Sequence, residues 1–107
     1  MTEFKVALCT CDSLTTAKKL AELVVSQKLA ACVNILPAVH SIYTWNNKIE
    51  QSEEVLMIIK TQSNLVEDLK QAIVSNHPYD VPEFICLEIT EGHQPYLNWL
   101  SASTQNR

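Results

Sequence analysis

From Phe4 onward the chain alternates. Phe4, Val6 and Leu8 fall on one side of an extended backbone and Ala7, Cys9 and Cys11 on the other, which predicts a strand over Phe4 to Thr10. The period then changes. Leu14, Ala17, Leu20, Ala21, Val24 and Val25 recur at helical spacing behind capping side chains at Asp12 and Ser13, so a helix is expected to end near Lys28. "ACVNIL" (Ala31 to Leu36) reads as a second strand that meets Pro37, where the missing ladder donor predicts a bulge or bend. "SIYTW" resumes β character, and Asn46-Asn47 reads as a tight turn because asparagine tolerates left-handed backbone. A third strand follows over Lys48 to Thr61. Ser63 or Asn64 is expected to cap a second helix, with Glu67 completing a capping box and Leu65, Leu69, Ala72 and Ile73 forming its apolar stripe. A fourth strand is expected over Glu83 to Thr90, and a short last helix carries Tyr96, Trp99 and Leu100 on one face.

The order β-α-β-β-α-β followed by a short helix predicts an α+β domain of ferredoxin-like type: an antiparallel sheet with both long helices on one face. Two features exceed what one copy can use. "VLMII" (Val55 to Ile59) and "FICL" (Phe84 to Leu87) are apolar at both parities, as in strands buried on both faces, although helices cover only one. The central strands are also too long: about 14 residues at ~3.3 Å each reach roughly 45 Å, whereas a globule of this size, with a radius of gyration of ~13 Å, is only about 34 Å across. A projecting hairpin and a second apolar face predict a homo-oligomer whose copies cover both.

Composition narrows the function. The 107 residues read as a single domain, 1–107, and 47% of them are apolar, enough for a packed core. Unbroken apolar runs such as "VLMII" are too short to cross a bilayer, and "MTEFKVALC" lacks the basic-then-apolar plan of a signal peptide, so a cytoplasmic protein without membrane partners is expected. Net charge is −4 and the basic residues are scattered, which argues against nucleic acid and is compatible with cationic partners, metal ions included. The single glycine, Gly92, excludes glycine-built phosphate loops. Cys9, Cys11, Cys32 and Cys86 sit in apolar, strand-like contexts and read as free thiols.

One segment combines unusual chemistry. "HPYDVPEF" brings His77, Asp80 and Glu83 within seven residues, and its two prolines, Pro78 and Pro82, force His77 and Val81 to extend. It reads either as a stiff elbow, with His77 ending a helix, or as a metal or small-ligand site. Cys9 and Cys11 lie about 7 Å apart along one strand face. A thiolate with an imidazole suits copper or zinc, but two donors do not complete a tetrahedral site; Cys11, a carboxylate, water or another subunit would have to contribute. Equally, Cys9 can be a silent core residue, since apolar surroundings dull a thiol. A Cys9–His77 nucleophile and base would need an oxyanion donor, and no glycine-built turn supplies one, so no catalytic residue is assigned. His40 and His93 lie in polar turns and read as solvated or adventitious copper ligands.

"LAACVNILP", "SIYTW" with "KIEQSEE" behind it, "IIKT", "HPYDVPE" and "YLNW", in this order and spacing, resemble the CutA family of divalent-cation tolerance proteins over essentially the whole chain. The resemblance implies a ferredoxin-like subunit in a stable cytoplasmic homotrimer, similar in shape to nitrogen-regulatory signalling trimers. It also implies copper or other divalent-metal binding linked to metal tolerance, and no enzymatic reaction. Family metal binding is placed on a first-strand cysteine and on a histidine ahead of Pro-Tyr, which here match Cys9 and His77. Cys11 and Glu83 are weaker candidates. Where some members carry a second histidine, this chain has Asn76, which removes one strong donor. Two other readings stay open: a small-molecule sensor with its ligand in an intersubunit cleft near Tyr79 and Glu83, by analogy of fold, and a structural scaffold.

Overall fold

The computed structural model describes residues 3–104. Strand β1 spans Phe4–Cys11, helix α1 Leu14–Ser26, β2 Cys32–Trp45, β3 Lys48–Gln62, α2 Val66–Asn76, β4 Ile85–Glu88 and α3 Gln94–Ser103. The sheet runs β2-β3-β1-β4 with every pair antiparallel, the expected ferredoxin-like order. Ser13 caps α1 as expected, its Oγ accepting the Thr16 N–H at 3.1 Å. The second helix begins differently: Ser63–Leu65 forms a 3-10 turn, α2 starts at Val66, and Glu67 pairs with Lys70 at 2.9 Å instead of closing a capping box. The fourth strand is shorter than expected. Pro82 fixes its own backbone and Tyr79 is tied to β3, so the chain joins the ladder only at Ile85.

Parity explains the core. Ala7, Cys9 and Cys11 of β1 and Val55, Met57 and Ile59 of β3 share the sheet face that meets Ala17, Leu20 and Val24 of α1 and Leu69 and Ile73 of α2. All are buried. At its edge the Thr61 hydroxyl, fully enclosed, donates to the Leu29 carbonyl at 2.7 Å.

The opposite sheet face carries no helix and is apolar too. Val6, Leu8, Leu56 and Ile58 are half-buried there, while Leu36, Ile85 and Leu87 are 42%, 52% and 55% exposed. The hairpin of β2 and β3 projects beyond the body, so the molecule measures 44 × 25 × 22 Å. Ile42, Trp45 and Ile49 are exposed along this arm. Asn46 and Asn47 turn its tip with φ of 52° and 63°, the left-handed pair that a two-residue hairpin requires.

The bend at Pro37 has a consequence for the face beyond it. Leu36 pairs with Leu56, but Val39 pairs with Glu54, so β2 holds one extra residue, with Ala38 at φ 63°. That insertion reverses the parity of β2. Ser41, Tyr43 and Trp45 therefore share the helix-free face with Ser52 and Glu54.

Candidate functional site

Pro78 holds His77 extended at the end of α2, with φ −85° and ψ 141°. The imidazole, nearly buried, then bridges two segments: its Nε2–H donates to the Thr10 carbonyl at 2.8 Å, and its Nδ1 accepts the Tyr79 N–H at 3.1 Å. The elbow reading is thus realised, with the histidine as its brace. Next to it the Tyr79 hydroxyl donates to Glu54 Oε2 at 2.7 Å, which pins the "HPYDVPEF" loop to β3. Burial, with that hydrogen bond second, pushes the Tyr79 hydroxyl well above its ordinary value, so its proton stays in place.

Cys9 and His77 are neighbours. The Cys9 thiol points at the same Thr10 carbonyl, with Sγ 3.6 Å from the oxygen, so both groups converge on one acceptor. Cys9 is fully buried, and desolvation pushes its thiol up to about 12, helped by the charges of Cys11, Glu83 and Glu54. Cys11 is also fully buried, its Sγ 3.8 Å from the Ser13 carbonyl, and burial raises it too. Glu83 lies in the loop before β4, where it lines a cleft with Glu54 and Tyr79.

These donors do not compose a ready coordination site for a resident copper or zinc ion. Metal needs a thiolate and a free imidazole lone pair, yet here the thiol is held protonated and both ring nitrogens are engaged. Among the described residues no three His, Cys, Asp or Glu side chains stand close enough to hold an ion.

The accessible feature is the cleft, about 630 Å³, where the arm meets the body. Thr10 and the Tyr79–Glu83 loop form one wall; Tyr43, Trp45 and Glu54 form the other. Glu54 was not foreseen from sequence. Its one signal was position, since it heads the apolar run of β3 at the parity of Leu56 and Ile58, a charge where the pattern calls for a buried side chain.

A family profile described as CutA1 divalent ion tolerance protein matches residues 5–103. The chain is 48% identical over 100 residues to protein CutA of Mus musculus and 48% identical over 101 residues to the chloroplastic protein CutA of Arabidopsis thaliana. In both cases 94% of this chain is covered, and it spans 56% of the relative's length. The crystal structure of CutA1 from Oryza sativa superposes with a TM-score of 0.95 at 42% identity, covering 99% of this chain and 97% of that one.

Proposed function

This chain belongs to the CutA1 divalent ion tolerance family, and on that premise we propose that it works as a non-enzymatic cytoplasmic homotrimer that binds divalent metal, copper first, in metal tolerance. One observation carries the assembly: the helix-free sheet face presents Leu36, Ile85 and Leu87 to water beside half-buried Leu8, Leu56 and Ile58. A contiguous apolar face of this kind marks an interface, and the exposed arm gives each copy a means to reach its neighbour. Among the described residues no helix is long and apolar enough to cross a membrane.

Copper is here a cargo and not a built-in cofactor. Cys9, His77, Cys11 and Glu83 remain the proposed donors, and the resting geometry ranks them: Glu83 is exposed at the cleft, whereas Cys9 and His77 must first surrender their shared contact with the Thr10 carbonyl. The same geometry supports a non-enzymatic reading. His77 Nε2 donates to a carbonyl and does not accept the Cys9 proton, and the thiol is held to about 12, the reverse of an activated nucleophile.

The test is the mass in solution together with calorimetric copper titration of the wild type and the Cys9→Ala/His77→Ala variant. Weaker copper binding at unchanged mass supports the reading; unchanged copper binding discards the donor assignment. A second reading, a small-molecule sensor, has an observation of its own: the cleft beside Tyr79 and Glu83 has the volume of an organic-ligand site.

A further inference from the structure

Within one chain the Cys9 thiol is fully buried and His77 nearly so. A second copy can only add cover, so both stay out of water in any assembly. The cover on their side of β1 is the elbow. β4 pairs with β1 only from Lys5 to Leu8, so beyond Leu8 no strand flanks that edge. His77 stands in for the missing strand. Its Nε2–H satisfies the Thr10 carbonyl at 2.8 Å, the same oxygen that the Cys9 thiol meets at 3.6 Å.

The elbow itself is held lightly. Helix α2 and Phe84, packed on the core, fix its two ends. Between them, among the described residues, no backbone–backbone hydrogen bond holds residues 78–84. Asp80, Val81 and Glu83 are exposed. Two side-chain hydrogen bonds fasten the segment to the strands: the one from His77, and the one that the Tyr79 hydroxyl donates to Glu54 Oε2 at 2.7 Å. The two are coupled, since the Tyr79 N–H donates to His77 Nδ1 at 3.1 Å and the rings lie 4.7 Å apart. A segment with so few backbone bonds opens at a lower free energy than the core beneath it.

We propose that the elbow is a hinged strap over the Cys9–His77 pair and that the Tyr79–Glu54 hydrogen bond is the latch that keeps it shut. The strap is a property of the chain's own contacts; that it gates metal capture rests on the donor assignment under the proposed function. Only the open form offers both donors, so the closed population subtracts from the apparent metal affinity, and a weaker latch gives tighter binding.

The test uses the full chain in its native assembly, with N-ethylmaleimide labelling read cysteine by cysteine in a mass spectrometer. In the wild type, Cys9 should label at a rate independent of urea below the unfolding transition, because strap opening exposes little surface. A rate that climbs steeply with urea means that only global unfolding reaches Cys9, and overturns the strap. Tyr79→Phe keeps the ring and deletes the latch. Loss of a hydrogen bond to a carboxylate should speed Cys9 labelling at least about tenfold, with Cys32 and Cys86 unchanged. Thr61→Val, toward the far end of β3 from Glu54, should leave Cys9 labelling as in the wild type; acceleration equal to that of Tyr79→Phe would overturn the strap. Wild-type labelling of Cys9 in Tyr79→Phe refutes the latch, since other contacts, those of a neighbouring copy included, would then hold the elbow. Calorimetry with Cu(II) separates the strap from the metal reading. Copper should bind Tyr79→Phe about tenfold more tightly than the wild type. Faster labelling at unchanged copper affinity upholds the strap and removes Cys9 and His77 from the donor set.

Discussion

Leu87→Glu places one charge on the helix-free sheet face. Leu87 sits on β4 opposite Val6 and keeps 55% of its surface in water within one copy. A single folded chain should tolerate the change, since substitutions at half-exposed positions without special contacts shift stability by about 0.5 kcal/mol. The assembly should not. Full burial of a leucine is worth ~1.5–3 kcal/mol, so covering the exposed half of Leu87 contributes about 1 kcal/mol per copy. Glutamate forfeits that and adds an unpaired buried carboxylate, a penalty of several kcal/mol. Across three copies the loss exceeds ~10 kcal/mol, on the scale of the entire association free energy of a nanomolar complex, about 12 kcal/mol. Sedimentation velocity at micromolar concentration should find trimers for the wild type and single chains for Leu87→Glu, with unchanged far-ultraviolet circular dichroism. Trimers that persist in the variant at unchanged affinity would refute the claim that this face is the interface. A wild-type chain that stays single would refute it more completely.

Other outcomes follow from the same structure. Cys9 is raised from 9.0 to about 12 by desolvation, so the folded chain keeps a proton that the unfolded chain has lost. The stabilisation is complete below pH 9.0 and is lost as pH climbs toward about 12, at up to ~1.4 kcal/mol per pH unit. Chemical denaturation between about pH 8 and 11 should show this loss, and Cys9→Ala should reduce it, leaving the part due to Cys11, whose thiol burial raises as well. Lys28 closes α1 at φ 59° and Ala38 holds the bulge at φ 63°; Lys28→Gly and Ala38→Gly should each raise stability by up to about 1 kcal/mol in thermal melts. Thr61→Val strands the Leu29 carbonyl and should cost about 1–3 kcal/mol by the same measure. A variant as stable as the wild type would show that water or another donor replaces the hydroxyl.

Most of the fold was legible because its causes are local. The switch from period two to helical spacing, the Asn46-Asn47 turn and the break at Pro37 each act within a few residues, and the structure realises all three. Boundaries were less so. The capping box at Asn64 gave way to a 3-10 turn, and the fourth strand lost residues at both ends, because ladder length depends on what the loop before it is tied to. At the candidate site, the sequence brought Cys9 and His77 to attention, and the fold does set them side by side. What it could not reveal is that both groups spend their hydrogen-bonding capacity on the Thr10 carbonyl and the Tyr79 amide.

The sequence by itself determined the element order and the surplus of apolar positions, because hydrophobic period is a property of neighbours along the chain. Only the tertiary structure decided the cleft. One extra residue beyond Pro37 turns β2 over, and that reversal sets Tyr43 and Trp45 on the face of Glu54, while Tyr79 arrives from a loop 25 residues further on. Such a meeting depends on strand register and loop path across the whole sheet, and no short-range pattern encodes it.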